Sequence, residues 1–243
     1  MDDPQLILTA LVERELISIT ELTELLGVSH MTVRRDIQKL EQEGRVLSVS
    51  GGVQLSEKIT SEPSHLTKRA LQFAEKTLIA HAAAQYAQPG MSLYLDAGTT
   101  SLALAQSLES RDDLMVINYL IEHSECKLYH TGGLVLRENC SCVGDSSTHF
   151  LHNLNVNISF ISSSSWNARW ISMPTEAKVA IKKAAVAAAN KRILICDSSK
   201  YGKVGTFNAV SLEEMDIVIS DSNLPESAKS ALLQTGVHLV VAE

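Results

Sequence analysis

A chain of 243 residues, 45% of them hydrophobic, is long enough for one or two domains and can bury a sizeable core. Its formal net charge of −7 weighs against nucleic-acid binding through overall charge, and no apolar run approaches the roughly 18 residues of a membrane span. The acidic start Met1-Asp2-Asp3-Pro4 is unlike a signal peptide, so the expected place is the cytoplasm with no membrane partner, where cysteines 126, 140, 142 and 196 do not make a disulfide framework.

Pro4 to Glu15 reads as a first helix with Leu8, Leu11 and Val12 as its apolar stripe. After a short amphipathic run, Ile19 to Leu26, the stretch Gly27 to Gly52 (GVSHMTVRRDIQKLEQEGRVLSVSGG) reads as the second half of a helix-turn-helix followed by a hairpin. Gly27 can take the positive φ that ends one helix, and Ser29 can cap the next by accepting a bond from an orphan N–H. Helical spacing then puts Val33, Ile37 and Leu40 on the core face. Met31, Arg35 and Gln38 fall opposite, Arg34 lies between, and His30 and Thr32 stand in the first turn.

That outer face suits a DNA groove, because Arg can donate two parallel bonds to guanine, Gln can pair with adenine, and Ser, Thr and a helix N-terminus grip phosphate. Lys39 adds a cation, and Arg45 opens a hairpin whose Gly51-Gly52 supplies the turn of a wing. The plain alternative is that Arg34, Arg35 and Lys39 are the solvated face of an ordinary helix. Short helix, Gly turn, Ser cap, paired Arg and Gly-Gly hairpin in succession favour double-stranded operator DNA.

The motif VSHMTVRRDIQKLEQEG resembles the signature of the DeoR family of bacterial transcriptional regulators. That family usually continues with Arg-x-His-Gly-Gly, where this chain has Ser48-Val49-Ser50-Gly51-Gly52. The expected N-terminal domain is therefore an all-α, winged helix-turn-helix unit over 1–55. Residues 1 to 62 hold six Lys/Arg against eleven Asp/Glu, while residues 28 to 40 hold Arg34, Arg35 and Lys39 against Asp36 alone. Phosphate neutralisation supplies much of DNA affinity, so so small a patch is expected to act in several copies, in a homo-oligomer that is a dimer or tetramer.

Residues 56–65 (SEKITSEPSH) are polar, broken at Pro63 and without period, and read as a linker. The second domain, 66–243, opens with a helix from Leu66 to a Pro89-Gly90 stop. The runs MSLYL, LMVI, KLYHT, ISFIS, RILICD, DIVISD and HLVVA then alternate with helices, including an Ala-rich one from Thr175 to Asn190. This predicts an α/β domain with a mostly parallel sheet covered on both faces, whose ligands bind where strand C-terminal ends open into loops.

Three polar loops stand at such ends. Asp96-Ala97-Gly98-Thr99-Thr100 leads from a strand into a helix, so N–H groups and hydroxyls can converge on an anion such as phosphate. A tight turn with Thr caps is the plain alternative. Thr131-Gly132-Gly133 and Asp197-Ser198-Ser199-Lys200-Tyr201-Gly202 occupy equivalent places. Ile117-Asn118 runs straight into Tyr119, leaving a shorter loop than usual, either deleted or missing from the sequence. Cys140-Ser141-Cys142 invites a metal, but no second pair stands at zinc-ligand spacing, so inert thiols, no metal and no cofactor are expected.

LDAGTTS, HTGG, CVG, PTEAKVAIKKA and CDSSKYGKVG resemble the DeoR sensor domain, which is similar to ribose-5-phosphate isomerase and binds phosphorylated sugars or related intermediates. The resemblance implies effector roles for Asp96, Gly98, Thr99, Thr100, Gly132, Gly133, Glu176, Lys182 and Lys200. Ser162 to Trp166 with Arg169 and Trp170 is less typical of the family and reads either as lining the sugar end or as a polar loop with a buried Trp. The resemblance also implies a branch concerned with sugar-acid breakdown, and so a small phosphorylated sugar or sugar acid as partner. The leading expectation is a repressor that is not an enzyme. One rival is a sugar-phosphate isomerase using Asp96 or Glu176 as base and Lys182 or Lys200 as electrostatic stabiliser. Another is an adaptor whose paired Arg grip an acidic protein.

Overall fold

The computed structural model describes residues 3–49, 51–117 and 125–243. The chain opens with α1 (Asp3–Glu13), α2 (Ile19–Leu26) and α3 (His30–Gln42), followed by a hairpin of β1 (Val46–Val49) and β2 (Gly52–Leu55). In α1 the buried stripe is Ile7, Leu8 and Leu11, and Val12 is 75% exposed. At about 100° per residue Val12 lies well off the centre of that stripe. Ser18 and Glu21 cap α2 reciprocally, Gly27 ends it at φ 67°, and Ser29 caps α3 by accepting from the Thr32 N–H at 3.2 Å. Val33, Ile37 and Leu40 are buried as their spacing predicts. The hairpin gains a third rung from Ile17, which exchanges two backbone bonds with Val53 at 3.0 and 2.9 Å. Gly52 permits that approach, since a Cβ there would meet the Ile17 carbonyl oxygen at 2.3 Å.

The polar stretch after the hairpin contains a short strand, β3 (Lys58–Ile59). The long helix expected from Leu66 is two: α4 (His65–Ala70) and α5 (Phe73–Ala84), broken where Gln72 takes a left-handed φ of 51°. The break turns the carbonyls of Lys68 and Leu71 toward the buried Lys76 ammonium group, which donates to both. No Pro or Gly marks it, so periodicity alone ran through it.

The second unit continues through β4 (Ser92–Leu95), α6 (Thr99–Ser107), β5 (Met115–Ile117), β6 (Lys127–Tyr129), β7 (Leu134–Leu136), β8 (Ser141–Val143), α7 (Asp145–His152) and β9 (Val156–Ile161). It then forms β10 (Ser165–Trp166), β11 (Trp170–Met173), α8 (Ala177–Ala187), β12 (Ala189–Ile195), β13 (Val204–Gly205), β14 (Phe207–Ser211), β15 (Ile217–Asp221), α9 (Glu226–Thr235) and β16 (His238–Ala242). The Ala-rich helix is shorter than its pattern suggested, because Ala189 and Asn190 already belong to the strand beside β9.

Seven strands in the order β16-β15-β12-β9-β4-β5-β6 form one sheet, every described pair parallel. Alternation decides the faces. Leu93, Leu95, Ile158, Phe160, Ile193 and Ile195 pack with Ile79 and Ala83 of α5 and Leu104 of α6. Tyr94, Ile161, Leu194 and Val218 pack on the other side with Leu151 of α7, Ile181 of α8 and Leu232 of α9. Each fully buried aliphatic side chain contributes roughly 1.5–3 kcal/mol. The antiparallel sheet β10-β11-β14 and the hairpin β7-β8 are additions that the strand-helix alternation did not predict. β13 pairs in parallel with β3, tying the segment after the wing to the second unit.

Because β12, β9 and β4 are neighbours, the loops that follow them at 96, 162 and 197 converge at one end of the sheet. The expectation of a shortened loop after Ile117 falls on residues outside those described. Among the described residues no helix is long and apolar enough to cross a membrane.

Candidate functional site

Among the described residues, cations gather on α3 and around one cavity. The N-terminal turn of α3 is held by the Ser29 and Thr32 hydroxyls, 3.0 Å apart, and His30, Met31, Arg34, Arg35 and Lys39 are exposed along the helix. The Arg35 side chain is 78% exposed, with Asp36 3.8 Å away. Gln38 is engaged elsewhere, donating to Gln234 of α9 at 3.0 Å. Arg45 stands apart at the start of the wing, 3.8 Å from Glu43. The helix thus presents free donors on one rigid element, as base and phosphate contacts require.

The second place is a cavity of about 560 Å³ where the converging loops meet. Its floor is organised by Asp96, whose carboxylate accepts from the Ala97 N–H at 2.9 Å, the Ser162 N–H at 3.1 Å, the Ser162 hydroxyl and the Lys182 ammonium group. Lys182 also donates to the Ser162 carbonyl at 2.5 Å. One carboxylate therefore stitches the end of β4 to the end of β9 and fixes a lysine between them. Gly98 lets the loops close, since a Cβ there would come 2.6 Å from the Ser162 Oγ. It begins α6 with no side-chain cap, so the first-turn N–H groups, which lack intrahelical acceptors, remain available to a ligand. Thr100 and Ser141, both buried and both lining the cavity, have hydroxyls without a hydrogen-bond partner. Orphaned buried hydroxyls mark a place where a partner is missing from the protein itself.

Seven lysines line the cavity, Lys58, Lys68, Lys76, Lys178, Lys182, Lys200 and Lys203, against the carboxylates Glu57, Glu62, Asp96 and Asp197. Glu62 Oε2 lies 2.8 Å from Lys68 and 3.0 Å from Lys178. Burial would raise this carboxyl, but the two ammonium groups beside it win and hold it at about 2. Lys200 pairs with Asp197 at 2.9 Å, and that neighbour depresses the Asp197 carboxyl against the effect of burial. Lys76 finds only carbonyls; burial, reinforced by the charge of Lys200, lowers it to about 8. Setting aside the exposed Lys58 and Glu57 and the half-buried Lys203, five lysines meet three carboxylates, an excess of positive charge largely out of water that fits an anion.

Of the expected effector residues, Asp96, Gly98, Thr99, Thr100, Lys182 and Lys200 line this cavity, and Gly132, Gly133 and Glu176 do not. Gly133 serves packing, at φ 96° with room for a Cβ denied by the Val143 carbonyl oxygen 2.6 Å away. Glu176 is exposed ahead of α8. Ser162, Ser163 and Ser164 reach the cavity, whereas Trp166 is fully buried edge-on to Tyr201 and Arg169 lies over Trp170, away from the lining. Sequence reasoning missed Lys68, Lys76, Lys178, Glu62 and Ser141. Lys178 was legible, being one helical turn before Lys182. Among the described residues no cysteine forms a disulfide, and no group of three or more His, Cys, Asp or Glu could hold a metal.

Two families match the chain: the DeoR-like helix-turn-helix domain over residues 4–58 and the DeoR C terminal sensor domain over 71–222. The HTH-type transcriptional regulator YgbI of Escherichia coli (strain K12) is 48% identical over 98% of this chain and 96% of its own. The putative aga operon transcriptional repressor of Escherichia coli O157:H7 is 28% identical over 93% of this chain and 87% of its own. The glycerol-3-phosphate regulon repressor of Escherichia coli (strain K12) is 25% identical over 92% and 91%. Among solved structures, ribose 5-phosphate isomerase A from Methanocaldococcus jannaschii matches 52% of this chain and 53% of that one at 17% identity and a TM-score of 0.39, too slight a likeness to bear argument.

Proposed function

The chain belongs to the DeoR family of transcriptional regulators, and from that premise we propose that it represses a carbohydrate or sugar-acid catabolic operon under the control of a small phosphorylated metabolite. The reading is supported by two relatives named as repressors, one of an aga operon and one of a glycerol-3-phosphate regulon. The single observation that carries the effector's chemistry is the meeting of the α6 N-terminus, the unpartnered hydroxyls of Thr100 and Ser141, and the buried lysines in one cavity. A phosphate brings about two negative charges and several acceptor oxygens, matching that donor set.

Operator DNA is read in this proposal by Ser29, His30, Met31, Thr32, Arg34, Arg35, Gln38 and Lys39 of α3, with Arg45 on the wing. Gln38 is the one residue that must first leave its contact with Gln234. The small cationic patch argues that two or four copies bind repeated half-sites, so sedimentation at operator-binding concentrations should give a dimer or tetramer. The isomerase alternative fares poorly on geometry as well as kinship. Asp96 is occupied by four donors and Glu176 lies outside the cavity, so neither carboxylate is placed as a free base. The direct test is an electrophoretic shift of the DNA upstream of the chain's own coding sequence, repeated with phosphorylated sugars and sugar acids that raise the melting temperature. The proposal expects a retarded complex that at least one such compound dissociates; a chain that shifts no DNA, or a complex indifferent to every stabilising compound, overturns it.

A further inference from the structure

The segment 57–63 crosses the cavity with every one of its residues in the lining, which is more than a tether between two units requires. Its Glu62 side chain is 5% exposed and places Oε2 between Lys68 of α4 and Lys178 of α8. The other oxygen, Oε1, is buried with no hydrogen-bond partner. Half of an expensive buried ion is thus unsatisfied, in the same cavity as the unsatisfied hydroxyls of Thr100 and Ser141. Lys178 stands one turn from Lys182, which Asp96 ties to the loop that begins α6.

The strap is held elsewhere by few bonds. β3 contributes two residues, paired with Val204 and Gly205 of β13, and the Val204 N–H donates to the Glu57 carbonyl at 2.9 Å. Lys203 meets the Glu57 carboxylate at 3.0 Å. What the strap pairs with is in turn what the N-terminal unit rests on. A Cβ at Gly202 would lie 2.6 Å from Leu47 of the wing, and one at Gly44, in the turn after α3, would lie 3.6 Å from Val204.

We propose that Glu62 is a built-in competitor for the effector's anion: a bound phosphate takes over Lys68 and Lys178, expels the Glu62 carboxylate, and frees the strap from β13, shifting the wing that leans on Gly202 and Val204. The proposal rests on the reading that this cavity takes an anion. Exchange is favourable because a phosphate offers acceptors to the two lysines and to the Thr100 and Ser141 hydroxyls at once, while Glu62 gains water for an oxygen that has no partner inside. Regulation then acts through the covalent connection between the two units.

The test is a calorimetric titration of inorganic phosphate into the full chain as wild type, Glu62→Gln, Glu226→Gln and Thr100→Val. Glu62→Gln should bind phosphate on the order of tenfold tighter than wild type, having lost the competing buried charge. Glu226→Gln, which removes the same charge from α9, outside both the cavity and the strap, should stay within about twofold, as an exposed pair does. Equal tightening in both reduces the effect to overall charge and overturns competition. Unchanged affinity in Glu62→Gln, with Thr100→Val still weakened, overturns the strap but leaves the anion site standing. Phosphate binding that Thr100→Val does not weaken, or no binding at all, removes the site and the strap together. Should Glu62→Gln fail to fold, Glu62→Asp, one methylene shorter, must also tighten binding. In wild type, phosphate should speed hydrogen exchange of the Val204 amide; slower or unaltered exchange contradicts release.

Discussion

Arg35 on α3 stands in solvent with its side chain 78% exposed and Asp36 3.8 Å away, whereas Lys182 on the cavity floor is 4% exposed and locked to Asp96 and the Ser162 carbonyl. The first arrangement costs the fold almost nothing and leaves the guanidinium free for another molecule. The second takes an ammonium group out of water and must hold it with a counter-charge. On the proposed reading, DNA and a small anion would be recognised by cations kept in opposite states, and substitutions in the two regions should separate along that line.

The largest effect is expected at the buried pair. Lys182→Met leaves the Asp96 carboxylate without its ammonium partner and should cost about 3–5 kcal/mol of stability, read as a lowered urea midpoint. An unchanged midpoint would mean that the pair does not organise the cavity. Next, Arg35→Ala should lose roughly 1–3 kcal/mol of operator affinity, the value of a bidentate base contact. Its stability should stay within about 0.5 kcal/mol of wild type, as for other exposed positions. A preference for operator over mixed DNA that is unchanged by the substitution would take Arg35 out of base reading.

Legibility follows the same division. The elements of α3 lie within one continuous stretch, so spacing alone gave its buried Val33, Ile37 and Leu40 and its exposed arginines. The parallel sheet was likewise readable, because each strand is a local apolar run. The cavity is assembled from positions as far apart as Glu62, Thr100, Ser141, Lys178 and Lys200, and local patterns carry no information about which loops meet. Lys76 reaches it only because the chain breaks at Gln72, a turn that no Pro or Gly announces. The wing's contact with Gly202 and the engagement of Gln38 by Gln234 were equally invisible, each joining residues more than a hundred positions apart.

A smaller effect should expose the orphaned hydroxyl. Thr100→Val removes a buried group without a partner, so the free protein should be as stable as wild type or slightly more so, while anion affinity falls by roughly 0.5–1.5 kcal/mol. Thermal melts with and without phosphate would report both, and a loss of stability in the free protein would show that the hydroxyl is satisfied.

The smallest effect is a pH dependence from Lys76, faced by Lys68, Lys200 and Asp197 and lowered by burial to about 8 from an ordinary 10.5. As pH rises through about 8 the cavity loses a positive charge, so anion affinity should weaken. Over the same window up to 10.5 the unfolded chain binds more protons than the folded one, so stability should rise. Lys76→Met should flatten both trends, and a variant that keeps them would assign the titration to another lysine.

The most direct measurement is a reciprocal titration on the full chain. Fluorescence anisotropy of labelled upstream DNA would be followed with and without the phosphorylated sugar that most raises the melting temperature, and calorimetry of that sugar would be followed with and without the DNA. Two sites joined in one free-energy cycle must change each other's affinity by the same factor, and Thr100→Val should shift the sugar's affinity while leaving sugar-free DNA binding as it was. DNA affinity that stays constant at saturating sugar would contradict the account at its centre.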